Sequence, residues 1–361
     1  MSIDLQTDRA HDLLQRFRAG QRLALARAIS LVENGQPGFE RILHELHADL
    51  GRAQRIGMTG PPGAGKSTLT SKLTVALRER EERVGIVAVD PSSPFTGGAL
   101  LGDRIRMNNL ATDPGVFIRS MAARGSLGGL ATTTSEVADL MDAYGCDRVL
   151  LETVGVGQSE LEIAETADTT VVVLVPESGD SIQAMKAGLM EIADVFVINK
   201  ADRPGADRLA QEIEVMLHMR LGESAPAAAG HHGVSLKTVG RAARERTRQA
   251  AEEGGGWAIP VLKTVAQTGE GIEELVRTLD RHAVYLRDTG ELSRRRQNRL
   301  AERVRAVVDR EMKKRAWTDG RGEEILEESL PALESGAESP YTVAARIVRA
   351  MGLETQRRTE T

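Results

Sequence analysis

Apolar residues near the start of the chain recur at three- and four-residue steps, which is the spacing of an amphipathic helix. Between residues 8 and 50 these positions are Leu13, Phe17, Leu25, Ile29, Val32, Phe39, Ile42 and Leu46. A Gly-Gln-Pro-Gly turn at residues 35–38 divides the stretch. The pattern predicts an N-terminal helical extension over residues 1–53.

A different pattern follows, in which short runs of Val and Ile alternate with helical stretches. The predicted strands are residues 56–59, 84–90, 116–119, 149–152, 170–175, 195–199 and 259–264. Polar residues rarely interrupt these runs, which is typical of strands buried on both faces of a parallel sheet. The helical stretches between them indicate right-handed crossovers. We therefore predict an α/β domain with a mostly parallel, doubly wound sheet over residues 54–288, with a surface insertion at about 223–256.

The last part of the chain, residues 289–361, has a charged and helical pattern. Ser339 followed by Pro340 predicts the start of a helix, because serine caps a helix and proline suits its first turn. The run of arginines at 294–296 is predicted to lie on a solvated or intersubunit face. Three helices enclose little core alone, so we expect them to pack on the sheet domain or on a second subunit.

Composition narrows the class of protein. Lys and Arg number 47 against 52 Asp and Glu, a net charge of −5, and this balance disfavours nucleic-acid binding. The only cysteine, Cys146, leaves no disulfide framework and no metal site of several thiolates. No apolar run approaches the roughly 20 residues of a membrane span, and the N-terminus resembles neither a signal nor a transit peptide. We predict a cytoplasmic location and neither a membrane nor a nucleic-acid partner.

The most specific motif lies between the first predicted strand and a helical stretch. Residues 60–67 match the phosphate-binding pattern G-x-x-x-x-G-K-[ST] at every position. The backbone N–H groups of such a loop bind phosphate oxygens, Lys66 reaches the β- and γ-phosphates, and Ser67 ligates Mg²⁺. The predicted nucleotide-binding residues are Gly60, Pro61, Pro62, Gly63, Ala64, Gly65, Lys66, Ser67 and Thr68.

A second motif predicts the base. Asn199, Lys200 and Asp202 follow a predicted strand in the Asn-Lys-x-Asp pattern of guanine recognition. The Asp202 carboxylate can accept hydrogen bonds from the guanine N1–H and exocyclic amine, and adenine has no matching pair of donors. The next strand ends in residues that are expected to give backbone contacts to the base, namely Thr264, Val265 and Ala266. The predicted ligands are therefore GTP and GDP.

A third segment has the features of a γ-phosphate sensor. Glu152 ends a predicted strand, where its carboxylate can reach Mg²⁺ through water, and Gly155 follows with an N–H for the γ-phosphate. In Ras-like enzymes the residue after this glycine is a Gln that orients the attacking water. Here it is Val156, which cannot do so, and Gln158 can substitute only after a rearrangement.

Three other residues are candidates for catalysis. Asp90 and Asp103 can each join the Mg²⁺ shell or act on the nucleophile. The alternative for Asp90 is to cap the loop that follows it, and the alternative for Asp103 is a surface or helix-capping role. Lys186 is a candidate to counter charge on the transferring phosphoryl group, with a solvated helix lysine as the alternative.

The order of these segments resembles one family. The matching segments are residues 89–94 (Val-Asp-Pro-Ser-Ser-Pro), residues 152–160 (Glu-Thr-Val-Gly-Val-Gly-Gln-Ser-Glu) and residues 183–194 leading to the Asn-Lys-Ala-Asp motif. Together they resemble the methylmalonyl-CoA mutase-associated GTPases, which include the MeaB/ArgK-type proteins and the mitochondrial cobalamin chaperone. The resemblance implies a SIMIBI-class P-loop GTPase with helical extensions at both ends, the C-terminal one at 289–361 serving dimerisation.

The resemblance also implies a partner. Members of this family bind an adenosylcobalamin-dependent acyl-CoA mutase, use GTP to gate its cofactor loading, and protect and reactivate it. Two features depart from the family: residues 176–180 are Pro-Glu-Ser-Gly-Asp where many relatives have Pro-Gly-x-Gly-Asp, and the insertion at 223–256 is longer than expected.

Three other functions are weighed. A metallochaperone-type GTPase needs His tracts or Cys-rich motifs, which a single cysteine cannot provide. An amino-acid kinase needs an acceptor pocket with its own catalytic base, and the sequence reveals none. A signalling GTPase with an unrelated protein client is the alternative that the sequence excludes least.

Overall fold

The computed structural model describes residues 2–90, 110–122, 130–153, 159–176, 189–220, 256–318 and 320–352 of the 361. The chain forms two compact units, Met1–Arg299 and Leu300–Thr361. Across the described ranges there are seven strands and twelve α-helices. No helix in these ranges is both long and apolar enough to cross a bilayer.

The elements alternate as the sequence predicts. Helices α1 (Ser2–Arg18), α2 (Arg22–Glu33) and α3 (Phe39–Leu46) come first. They are followed by β1 (Gln54–Thr59), α4 (Lys66–Glu79), β2 (Val84–Asp90), β3 (Val116–Ala122), α5 (Leu130–Ala143), β4 (Arg148–Thr153), α6 (Ser159–Thr166), β5 (Thr169–Leu174), α7 (Leu189–Ile192), β6 (Val195–Asn199), α8 (Ala206–Arg220), β7 (Val261–Thr264) and α9 (Ile272–Asp288). The last helices are α10 (Glu291–Trp317), α11 (Gly322–Glu334) and α12 (Pro340–Ala350).

The strands form one sheet in the order β3-β2-β4-β1-β5-β6-β7, and every adjacent pair is parallel. All seven predicted strands are therefore confirmed: two match at both ends, and the ends of the other five differ by at most three residues. Because the strands are parallel, their carboxyl ends meet at one edge of the sheet. The predicted phosphate, metal and guanine motifs all begin at this edge, which is where α/β sheets bind ligands.

The N-terminal helices share a core with the sheet. All eight periodic apolar residues predicted for this region are buried, and they form one cluster with Val87 of β2 and Val149 of β4. The start of β1 is tied to α5 by one carboxylate, because Asp142 accepts the backbone N–H groups of residues 51–53 at 2.8, 3.0 and 2.9 Å. The helices before residue 53 are thus packed as part of the first unit.

At the opposite edge of the sheet, two arginines of the predicted solvated run at 294–296 bind carboxylates. Asp194, just before β6, accepts two hydrogen bonds of 2.9 Å from Arg295. Asp168, just before β5, accepts from Arg296 at 2.9 Å and from Arg299 at 2.5 Å. Arg294 is exposed, but the prediction of a solvated or intersubunit face is wrong for Arg295 and Arg296. The cause is the parallel sheet, which brings carboxylates from before adjacent strands to one edge.

The arginine contacts lower the pKa of the Asp168 carboxyl. Burial alone would raise the pKa of this carboxyl, but the guanidinium groups of Arg299 and Arg296 outweigh it and lower the pKa to about 2. Asp168 therefore stays ionised in the first unit at any ordinary pH.

The second unit has a small core of its own. Four buried hydrophobic residues form it: Ala316, Ile325, Val343 and Ile347. Helix α12 begins at the predicted place, with Ser339 accepting the Thr342 N–H in a capping box and Pro340 in the first turn. Several large apolar side chains of this unit remain exposed, among them Leu300, Val304 and Val308, which recur every four residues along α10.

Candidate functional site

The loop of residues 60–65 joins the carboxyl end of β1 to the first residue of α4. Gly60 has a φ of 133°, and a Cβ atom there would lie 2.1 Å from the carbonyl oxygen of Val173 in β5. Gly65 has a φ of 86°, and a Cβ atom there would lie 2.4 Å from Nδ2 of Asn199. Only glycine allows this backbone conformation and this close approach to the neighbouring strands.

Helix α4 begins at Lys66, and its N-cap, Gly65, has no side chain that could cap the N–H groups of the first turn. The N–H groups of its first turn therefore resemble those that bind anions in other phosphate loops. Lys66 is buried, and its Nζ donates to the carbonyl oxygens of Gly60 at 2.6 Å and Pro61 at 3.1 Å. The ammonium group is thus held inside the loop, where charged phosphate oxygens are stronger acceptors than carbonyls.

Two predicted metal ligands are in direct contact. Ser67 Oγ donates to Glu152 Oε1 at 2.6 Å, and both side chains are buried. The register of the sheet explains the contact, because Met58 of β1 pairs with Glu152 of β4 and β1 leads into the phosphate loop. A hydroxyl and a carboxylate are the hard oxygen ligands that Mg²⁺ prefers, with phosphate oxygens and water completing its octahedron. The pair therefore fits an Mg²⁺ ion bound together with a nucleotide.

Asn199 connects the phosphate loop to the end of β7. Its Nδ2 donates to the carbonyl oxygen of Ala64 at 2.9 Å. Its Oδ1 accepts from the Ala266 backbone N–H at 3.1 Å and from Thr264 Oγ1 at 3.2 Å. The side chain is buried. The sequence assigned Asn199 to the base, and the structure adds this bridging role, which no sequence pattern reveals.

The remaining residues of the guanine motif lie on the turn after β6. Lys200 has the left-handed φ of 55°, and the Ala201 N–H donates to the carbonyl oxygen of Thr264 at 3.0 Å. Val265 donates through its N–H to the Glu270 carbonyl at 3.0 Å, which closes the facing loop. Asp202 is exposed and makes no hydrogen bond or ion pair to any residue that the structure describes. Its carboxylate is open to the two donors of a guanine base.

For five other predicted site residues the structure describes only a backbone position or nothing. The backbone of Asp90 ends β2 opposite Ala122 of β3, at the same edge of the sheet, and its side chain lies outside the described part of the structure. The predicted residues Asp103, Gly155, Gln158 and Lys186 also lie outside the described residues. The sequence did not predict the role of Val173, whose backbone carbonyl oxygen leaves no room for a side chain at Gly60. A contact made by a backbone atom does not depend on residue type, so no sequence pattern indicates it.

A parallel sheet defines a P-loop GTPase when a phosphate loop follows its central strand, here β1, and an Asn-Lys-Ala-Asp turn follows a strand two positions away in the sheet, here β6. A sequence model described as "Methylmalonyl Co-A mutase-associated GTPase MeaB" matches residues 25–321. The chain belongs to this family of GTPases, and the family resemblance predicted from its motifs is confirmed. GTP and GDP are the nucleotides of such a protein.

Relatives of the chain agree with this assignment. A Pyrococcus horikoshii protein named as a GTPase is 45% identical over 297 residues, which are 82% of this chain and 85% of the relative. The mouse protein named "Methylmalonic aciduria type A homolog, mitochondrial" is 33% identical over 349 residues, 92% of this chain and 77% of the relative. Among solved structures, one titled "LAO/AO transport system kinase" matches with a TM-score of 0.63 and 25% identity, covering 95% of this chain and 98% of that chain. The predicted fold class is therefore confirmed.

Proposed function

We propose that this GTPase is a chaperone of an adenosylcobalamin-dependent acyl-CoA mutase, with methylmalonyl-CoA mutase as the first candidate client. In this role it uses GTP to gate loading of the cofactor and to protect and reactivate the mutase. The description of the family, which names association with methylmalonyl-CoA mutase, supports the proposal. So does the name of the mouse relative, which refers to methylmalonic aciduria.

The observation that carries the proposal is the 2.6 Å hydrogen bond between Ser67 and Glu152. Glu152 is the first residue of the segment at 152–160 that resembles the family's γ-phosphate sensor. A change at the phosphate loop therefore acts on the strand end that leads into this segment. A chaperone that responds to the nucleotide needs such a connection between the bound phosphate and the surface that meets its client.

The roles of the site residues follow from their chemistry. Lys66 and the N–H groups of residues 63–68 bind the phosphates, and Asp202 selects guanine. Ser67 and Glu152 would hold Mg²⁺, joined by Asp90 and Asp103, and the ion would neutralise charge on the phosphate oxygens. Asn199 keeps the phosphate loop and the base-binding loop at a fixed separation through its contacts to Ala64 and Ala266.

Hydrolysis in the isolated protein is proposed to be slow. Val156 stands where Ras-like enzymes have the Gln that orients water. Intrinsic turnover is then on the order of 10⁻⁴ to 10⁻² s⁻¹, as for GTPases that lack their activator. In this proposal the mutase stimulates turnover by bringing Lys186 to the transferring phosphoryl group, with Gln158 orienting the water.

A homodimer is part of the proposal. Leu300, Val304 and Val308 are exposed and lie four residues apart along α10, so they share one face of the helix. A second copy of the chain would cover this stripe. Light scattering is expected to give about twice the chain mass of 39.0 kDa. Val304→Glu combined with Val308→Glu is expected to give a folded monomer, and an unchanged mass would place the dimer contact elsewhere.

The client is tested with purified proteins. The chain is mixed with methylmalonyl-, isobutyryl- or ethylmalonyl-CoA mutase, and complex formation and single-turnover GTP hydrolysis are measured. We expect one mutase to co-elute and to accelerate hydrolysis. Lys186→Ala is expected to keep the intrinsic rate and lose the acceleration, whereas Lys313→Ala, an exposed lysine of α10, keeps both. If no mutase binds or accelerates hydrolysis, the chaperone role is wrong and a signalling GTPase is favoured.

Fractionation of host cells tests the predicted cytoplasmic location.

A further inference from the structure

Two threonines at the nucleotide edge of the sheet have buried hydroxyl groups. Thr59 is the last residue of β1 and Thr153 is the last residue of β4, and both are fully buried. Neither hydroxyl has a hydrogen-bond partner among the residues that the structure describes. A buried hydroxyl without a partner costs free energy, so native proteins nearly always give such groups one.

The register of the sheet makes the two threonines neighbours. Met58 pairs with Glu152, so the next residues, Thr59 and Thr153, stand opposite each other on adjacent strands. Such strands lie about 4.8 Å apart. Because successive side chains alternate between the two faces, both threonines lie on the face opposite to Met58 and Glu152.

The rest of this row of the sheet is apolar. Thr153 is flanked by Val89 of β2, and Thr59 is flanked by Val172 of β5. One row further from the edge, Ile163 of α6 packs so closely over Gly57 that a Cβ atom there would lie 2.7 Å away. The two hydroxyls are therefore a polar pair within an apolar row, with no ionisable side chain in the row.

A small neutral molecule that both donates and accepts hydrogen bonds suits this position. Each threonine hydroxyl offers one donor and two acceptor positions, and a buried water needs two to four polar partners. We propose that Thr59 and Thr153 together bind one buried water molecule, and that this bridge positions Glu152 against Ser67.

The bridge has a mechanical consequence for the nucleotide site. Thr59 is followed directly by Gly60, the first residue of the phosphate loop, and Thr153 directly follows Glu152. A water between the two hydroxyls fixes the separation of these strand ends on one face of the sheet. On the other face the 2.6 Å contact of Ser67 with Glu152 depends on the same separation. Thr59 and Thr153 are thus positioning residues.

A double-mutant cycle tests the bridge. Thr59→Val, Thr153→Val and the double variant keep the side-chain shape, and urea unfolding measures their stability without nucleotide. Each single variant leaves one hydroxyl unpaired, so the unfolding constant is expected to rise about tenfold. The double variant removes both hydroxyls and the water, and is expected to return to within about threefold of the wild type. If the changes in unfolding free energy of the two single variants simply add in the double variant, whatever their sign, the bridge is overturned.

Thr70→Val is the matched control. Thr70 is also buried without a hydroxyl partner in the described residues, but it lies on α4, whose Leu69 and Leu73 pack with Met58 on the other face. Thr70→Val is expected to be neutral or stabilising and to add independently to Thr153→Val. Coupling of the same size between Thr70 and Thr153 would mean that the cycle reports general loosening, and would also overturn the bridge.

A second readout tests the positioning role. GDP affinity is measured by calorimetry with Mg²⁺ and with EDTA, and the ratio of the two affinities isolates the contribution of the metal. We expect this ratio to fall at least threefold in each single threonine variant and to stay unchanged in Thr70→Val. An unchanged ratio in the threonine variants would overturn the positioning role. Because the unfolding cycle uses no nucleotide, a failure of the bridge is distinguishable from a failure of the GTPase site.

Discussion

The side-chain amide of Asn199 donates a hydrogen bond to the backbone carbonyl oxygen of Ala64, 2.9 Å away. This contact joins the end of β6, which carries the guanine motif, to the loop that binds phosphates. The same side chain accepts hydrogen bonds from Thr264 and Ala266 on the loop after β7. One buried amide therefore connects the loop that is proposed to bind phosphates with the loops that are proposed to bind the base.

Removal of this amide is expected to weaken all nucleotides together. Asn199→Ala breaks three hydrogen bonds and leaves the Ala64 carbonyl and the Ala266 N–H without this partner. The affinity for GDP and GTP is expected to fall about 30- to 100-fold. The preference for GDP over ADP stays, because Asp202 is unchanged. Calorimetry with the three nucleotides checks this, and a loss confined to guanine preference would contradict the bridging role.

Asp202 is expected to control the choice of base. The wild-type protein should bind GDP at least about 100-fold more tightly than ADP, the scale of a lost bidentate pair. Asp202→Ala removes the acceptor and should bring the two affinities within about tenfold of each other. The side chain is exposed and makes no hydrogen bond or ion pair with other described residues, so the fold is expected to survive. Comparable GDP and ADP affinities in the wild type would refute the guanine assignment.

Lys66 and Glu152 are expected to be needed for hydrolysis. Lys66→Ala removes the ammonium group that lies within the phosphate loop and should abolish measurable turnover. Glu152→Ala removes the acceptor of the Ser67 hydroxyl and should reduce turnover at least about 100-fold. Circular dichroism serves as the control for folding. Normal turnover in Lys66→Ala would exclude the loop from phosphate binding.

Stability is expected to fall as the pH decreases from neutral toward 4. Burial lowers the pKa of His282, whose Nδ1 contacts Thr169 Oγ1 at 2.9 Å, to about 4, although Asp194 opposes the shift from 3.5 Å. The unfolded imidazole has a pKa of about 6.5. Between these values the unfolded chain binds a proton that the folded chain does not, so the free energy of unfolding decreases by up to about 3 kcal/mol.

Urea unfolding at pH 5.0 and 7.5 measures this effect. His282→Gln cannot be protonated, so its loss of stability between the two pH values is expected to be smaller than that of the wild type. The low pKa of Asp168, about 2, adds a further loss only below about pH 4. An equal pH dependence in the variant would show that other groups cause it.

The arginine contacts of Asp168 are expected to contribute strongly to folding. Asp168→Ala leaves Arg296 and Arg299 without their carboxylate, and removal of one partner from a buried ion pair typically costs about 3–5 kcal/mol. Chemical denaturation measures the loss. Arg294→Ala is the matched control from the same helical turn, and it is expected to leave the unfolding midpoint unchanged because that side chain is exposed. Equal effects of the two variants would argue against the buried contacts.

Features with a local signal in the sequence were predictable, and features that depend on contacts distant along the chain were not. The seven strands and the phosphate loop were predictable because their signals are local, a run of β-branched residues or a fixed spacing of glycines. Strand β7 begins at Val261 rather than at 259, since Pro260 has no N–H for a sheet ladder. The roles of Arg295 and Arg296 were not predictable, because their partners lie about a hundred residues away and meet them only through the order of the strands.

Position 60 illustrates how a single packing distance can restrict inherited variation. A side chain of any kind there would place its first carbon 2.1 Å from the Val173 carbonyl oxygen, and the φ of 133° already disfavours every residue except glycine. Every missense change of a glycine codon introduces a residue with a Cβ atom. Any nucleotide substitution that changes the amino acid at position 60 is therefore expected to be excluded from functional proteins. Functional descendants of this gene can differ in the Gly60 codon only by synonymous substitutions.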